Sequence, residues 1–122
     1  FARDYDLEAP VEMPLQSGPL VVDPGGLNGI RRNAYDRLNR SAVCLDFDGS
    51  ALLVLAWGGL SLYEFGTMLS LPAVDGGLGC ERAINLDGGP SSQASLMLSD
   101  HSYEIPGLWR VNSALVLKPK DD

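Results

Sequence analysis

A chain of 122 residues, 45% of them hydrophobic, is long enough for one domain with a real core and is not compositionally disordered. The formal net charge of −7 and the lack of any Lys/Arg-rich run exclude a basic face for a phosphate backbone, so nucleic acid is not an expected partner. No stretch approaches the roughly 18 consecutive apolar residues of a membrane-spanning helix, and no signal-peptide pattern precedes the domain.

Residues 1–14, "FARDYDLEAPVEMP", are acidic and interrupted by Pro10 and Pro14; they read as an irregular arm before a domain spanning 15–119. The start at Phe1 reads as that of a processed or truncated product. "LQSGPLVV" (Leu15–Val22) is a short strand with a Gly-Pro turn, and "DPGGLNG" is a loop. "IRRNAYDRLNR" is polar, with a period that fits either loop or short helix. "SAVCLDF" (Ser41–Phe47) and "ALLVLAW" (Ala51–Trp57) are apolar runs joined through Asp48-Gly49, a hairpin signal. Gly58-Gly59 is expected to end the second run.

The period then changes. Leu62, Phe65, Met68 and Leu69 recur three or four apart, the mark of one helical face. Ser61 and Glu64 have the S-x-x-E spacing of a capping box. Pro72 closes the helix, and "VDGGLGC" is a loop. "RAINLD" reads as strand, "GGPSS" as turn, "QASLMLS" as strand, "DHSYEIPG" as loop and "WRVNSALVLKP" (Trp109–Pro119) as a last strand. One helix among five or six strands predicts an α+β fold: a largely antiparallel or mixed sheet with one main helix packed on a face.

Cys44 and Cys80 lack CxxC spacing; two buried core thiols are favoured over a bridge. His101 is the one histidine, which argues against a His-based metal site. No metal or other cofactor is expected. Seven of the nine basic residues are arginine, the residue suited to forked recognition of carboxylate or phosphate.

Three carboxylates invite a chemical reading. In "AINLDGGPSSQASLML" (Ala83–Leu98), Asp87 ends an apolar run and faces two glycines, a proline and two serines. Glycines let backbone N–H groups cradle an anion, while the acid serves as nucleophile, base or transition-state stabiliser. The plainer reading is a hairpin turn with Asp87 bonding its own loop. Asp46, in "LDFDGS", has the D-x-D-G-[ST] form of a haloacid dehalogenase-type phosphohydrolase nucleophile. Against it stand a following run that reads as a return strand and the lack of a downstream lysine before Lys118. Glu64 is accounted for by helix capping. Arg40, just before a strand, could reach an anion, but most such arginines are solvated and the residues alone favour that reading.

Four blocks in order, "QSGPLVV" (Gln16–Val22), "RLNRSAV" (Arg37–Val43), "LSLYEF" (Leu60–Phe65) and "GCERAINLDGGPSS" (Gly79–Ser92), resemble the phosphodiester glycosidase family. The resemblance implies hydrolysis of a sugar-1-phosphodiester, such as that of N-acetylglucosamine, between the anomeric carbon and the phosphate oxygen. It assigns Asp87 and Glu64 to catalysis and Arg40 to the phosphate. It places Asn85 at the sugar, Gly88 and Gly89 as close amide donors, and Ser91 and Ser92 in the binding loop. It also implies an extracytoplasmic location and a small-molecule or glycan substrate. Pro90 replaces a third glycine common in the family, Cys44 stands where glycine is frequent, and an Asn-Gly-Gly-Phe-like motif is lacking. By that resemblance the domain is incomplete on its N-terminal side, to be completed by a further segment or by self-association. A binding relative without turnover is the alternative from a different class.

Overall fold

The computed structural model describes residues 8, 10, 12 and 14–119. The arm expected over residues 1–14 therefore lies almost wholly outside the described residues. Seven strands and one α-helix follow one another: β1 (Leu20–Asp23), β2 (Leu27–Asn28), β3 (Leu38–Asp46), β4 (Ala51–Leu60), α1 (Leu62–Ser70), β5 (Cys80–Asn85), β6 (Ala94–Met97) and β7 (Ser102–Ile105). Short 3-10 turns occupy Ala73–Asp75 and Gly89–Ser91. Strands β1 to β5 form one sheet in the order β2-β1-β5-β3-β4, every pairing antiparallel, and β6 with β7 forms a separate hairpin. This is the α+β architecture that the single helical period implied.

The hairpin between β3 and β4 is built by Asp46. Its Oδ1 accepts the amides of Asp48 and Ser50, and its own backbone N–H donates to the Ser50 carbonyl. The D-x-D-G-S motif is thus a tight turn followed directly by a return strand, and the phosphohydrolase reading of Asp46 has no loop and helix to stand on. The capping box is formed in full: Ser61 Oγ accepts the Glu64 amide, and Glu64 Oε2 accepts the Ser61 amide. Both bonds satisfy donors that a helix start otherwise leaves bare.

The core lies between α1 and one sheet face. Phe65 and Leu69 of the helix meet Val21 and Val22 of β1, Ala42 and Cys44 of β3, and Cys80 and Ala83 of β5. Gly66 permits the close approach, because a Cβ there would stand 2.7 Å from the Val21 carbonyl oxygen. Side chains alternate across a strand, so Val43 and Leu45 turn to the opposite face, Val43 between Leu53 and Ile84 and Leu45 between Ala51 and Arg82 in the ladder. That second face stays partly bare: Leu45 and Leu53 are 38% and 44% exposed.

Four expectations are corrected. Cys44 and Cys80 are not thiols but a fully buried disulfide, S–S 2.04 Å; the spacing of 36 residues hid it, and the adjacency of β3 and β5 creates it. A disulfide persists in oxidising compartments, and this one points to an extracytoplasmic location. Gly58-Gly59 does not end β4, which continues to Leu60. Both glycines have positive φ, 109° and 85°, and they absorb a register shift opposite Leu38–Arg40, the work of a β-bulge. The segment "DHSYEIPG" contributes β7 rather than only loop. The apolar run Trp109–Pro119 joins no ladder; strand propensity is a preference that context overrides.

Candidate active site at the glycine-lined end of the sheet

Strand β3 runs antiparallel to both β4 and β5. The start of β3, the end of β4 and the end of β5 therefore meet at one end of the sheet, and α1 begins there directly after β4. The loop after β5 is pinned to this end. The Leu86 amide donates to the Ser41 carbonyl at 2.8 Å, and the Asn85 amide to that of Pro19 at 3.0 Å.

A shallow hollow of about 350 Å³ opens among these termini. Arg37, Leu38 and Asn39 line it at the entry to β3, Gly58 and Gly59 at the β4 bulge, and Gly89, Pro90 and Leu108 on the far side. Asn39 braces the bulge by accepting the Gly58 amide on Oδ1 at 3.1 Å. Gly88 lies so close to β3 that a Cβ there would stand 3.1 Å from the Asn39 carbonyl oxygen. The "DGG" loop therefore needs glycine for contact with β3 as well as for any ligand.

The candidate residues are distributed unevenly about this hollow. Gly89 lines it, while Asp87 and Gly88, the two residues before it in the chain, stand outside the lining. Asp87 is exposed, with Oδ1 accepting the amide of Gly88 at 2.9 Å. Glu64 reaches the site through Arg37, whose Nη2 donates to Glu64 Oε1 at 2.5 Å. Arg40 is outside the lining: its Nε donates to the Leu60 carbonyl and its Nη2 to the Asp36 carbonyl, both at 2.9 Å. No hydrogen bond or ion pair joins Arg40 to Asp87 among the described residues. Asn85 donates through Nδ2 to the Leu86 and Gly18 carbonyls, and its buried Oδ1 has no protein partner. Ser91 closes the 3-10 turn through its amide, which donates to the Gly88 carbonyl. Ser92 is buried beneath the loop and accepts the hydroxyl of Ser41 at 3.1 Å.

The Ser61 backbone amide, and after it the Arg37 guanidinium, hold the Glu64 carboxyl below its ordinary value of 4.5 despite partial desolvation. Both contacts favour the ionised form of Glu64. The sign of the linkage follows. A lowered folded-state value contributes stability that is present above the unfolded value and lost as pH falls through the folded one. Thermal unfolding of Glu64→Gln beside the parent should show a gap that is full above about pH 5 and closes in acid; a gap independent of pH contradicts the pairing.

Arg37, Asn39, Gly58 and Gly59 were not singled out from sequence. The usable signal was a glycine pair one residue short of a helix cap, Leu60 standing between Gly59 and Ser61, with an arginine three residues upstream of Arg40. Among the described residues no group of three or more His, Cys, Asp or Glu side chains is placed to hold a metal ion, and no helix is long and apolar enough to cross a membrane.

Comparison with curated proteins and with solved structures found no match. A family model described as phosphodiester glycosidase matches residues 2–118 and so takes in the sheet, the helix, the hollow and the "DGG" loop. With nearly the whole chain matched, the protein belongs to the phosphodiester glycosidase family.

Proposed function

We propose that the protein hydrolyses a sugar-1-phosphodiester at this end of the sheet, with N-acetylglucosamine as the model sugar. The observation that carries the reading is the seating of Gly88 and Gly89, directly after Asp87, against the entry to β3, in one lining with Arg37 of the Arg37–Glu64 pair and the bare backbone of Gly58 and Gly59. Water bonds through its oxygen to the anomeric carbon. The bond from that carbon to the phosphate oxygen breaks with its electron pair on phosphate, and the proton of water passes to a base. The transition state carries positive charge on the sugar, which a carboxylate stabilises; Asp87 fills that role. The phosphate leaves as an anion without needing a proton, in keeping with an ionised Glu64. Asn85 supports the sugar end from behind by holding the Gly18 and Leu86 carbonyls, the Gly89 amide serves the oxyanion, and Ser91 and Ser92 keep the loop in shape. Arg40 braces the site by tying Asp36 and Leu60 together.

A second reading rests on one observation. Of the loop amides, that of Gly88 is already spent on Asp87, and Pro90 has none to give. A loop so short of donors suits a relative that binds sugar-phosphate without turnover. Incubation with an N-acetylglucosamine-1-phosphodiester separates the two. Release of free N-acetylglucosamine supports hydrolysis; saturable binding with no release supports the binding module; neither outcome refutes both.

The disulfide and the family membership support an exported protein, and the partly bare sheet face supports self-association or cover by a further segment of the protein.

A further inference from the structure

We propose that Arg37, rather than Arg40, is the anion-recognising residue of the hollow, and that it takes the phosphate of a phosphodiester. The inference rests on the reading of the site given above. It adds which side chain meets the charged half of the substrate.

Three observations converge on it. Arg37 is the one cationic side chain that lines the hollow, among the described residues. Its side chain is 60% exposed, and only Nη2 has a partner, Glu64 Oε1. A guanidinium carries five N–H donors in a fixed fork, so the edge away from Glu64 keeps its donors free for two oxygens of one phosphate. Arg40, by contrast, has spent Nε and one Nη on main-chain carbonyls and lies outside the lining.

The pairing with Glu64 does not cancel this role. Glu64 is the third residue of α1 and shares its charge with the Ser61 amide of the capping box. The helix N-terminus offsets that negative charge further. Glu64 therefore works as a clamp, anchored to the helix start on one oxygen and gripping the guanidinium with the other. In the same lining Gly58, Gly59 and Gly89 present no side chains, leaving room for a bulky anion to lie against backbone. On a chain of net charge −7, an anion site needs such a local cation, because the overall field repels the ligand.

The test is calorimetric titration of the full chain with inorganic phosphate and, separately, with uncharged N-acetylglucosamine. Arg37→Ala should weaken phosphate binding at least tenfold and leave sugar binding unchanged. Arg37→Lys, which keeps charge without the fork, should recover part of it. Circular dichroism melting of both variants checks the fold, and a matched melt of Arg37→Lys keeps the test open if Arg37→Ala unfolds. Phosphate binding unchanged in Arg37→Ala, or no phosphate binding by the parent, overturns the assignment. The two readings fail separately. Phosphate binding lost in Arg37→Ala without any glycosidase turnover by the parent sustains the anion site and sinks hydrolysis. Turnover with an unaltered KM in Arg37→Ala does the reverse.

Discussion

Asp87→Asn should lower sugar release from an N-acetylglucosamine-1-phosphodiester by about a thousandfold, with little change in melting temperature. The size follows from charge: asparagine keeps shape and hydrogen bonding but removes the negative charge that stabilises a cationic sugar, and about 4 kcal/mol of lost transition-state stabilisation is a thousandfold in rate. The fold should tolerate the change because Asp87 is exposed and makes one local bond, to the amide of Gly88. An asparagine carbonyl can accept that bond equally. The loss should fall on kcat more than on KM, since the interaction strengthens only as charge develops. Retained turnover in Asp87→Asn means that another group carries the reaction.

Replacing Cys44 and Cys80 together by alanine should cost about 4 kcal/mol of stability, the chain-entropy value for a bridge across 36 residues, and lower the melting temperature by about 15 °C. That is a large share of the total for a small domain. The bridge fastens β3 to β5, the two strands whose ends frame the hollow, and both sulfurs lie in the core with no exposure. The control is chemical: a reductant should destabilise the parent by a similar amount and leave the double alanine variant unmoved. Equal sensitivity of the two proteins to reductant contradicts a bridging role.

These two predictions draw on features of unequal visibility in the sequence. Local signals were readable because their physics is local. The Ser61–Glu64 box, the Asp48-Gly49 turn and the helical stripe from Leu62 to Leu69 each depend on residues within one or two turns of chain, and all three formed. The disulfide depends on which strands are neighbours, and a sheet that places β5 between β1 and β3 is not written in any short window. Gly58-Gly59 misled for a related reason. Glycine stops many strands, but here positive φ lets the chain bulge and resume pairing at Leu60. Trp109–Pro119 carries a strand's composition but pairs with no strand, and composition alone does not decide pairing.

The site divides along the same line. Asp87, Gly88 and Gly89 stood out because a carboxylate before paired glycines is a compact pattern. The Arg37–Glu64 pair spans 27 residues and became visible only when the entry to β3 met the start of α1. Arg40 was the more conspicuous arginine in its block, and its Nε and Nη2 bond the Leu60 and Asp36 carbonyls, contacts that the order of residues does not reveal.

The most direct measurement is a map of backbone amide shifts in ¹⁵N-labelled protein during titration with a phosphodiester of N-acetylglucosamine. Perturbations should concentrate at Asp87–Gly89, at Arg37–Asn39 and at Gly58-Gly59, all rising together to saturation along one binding curve. Saturable perturbations centred instead on the Asp46–Ser50 turn or the β6–β7 hairpin, with the glycine-lined end silent, would contradict the account.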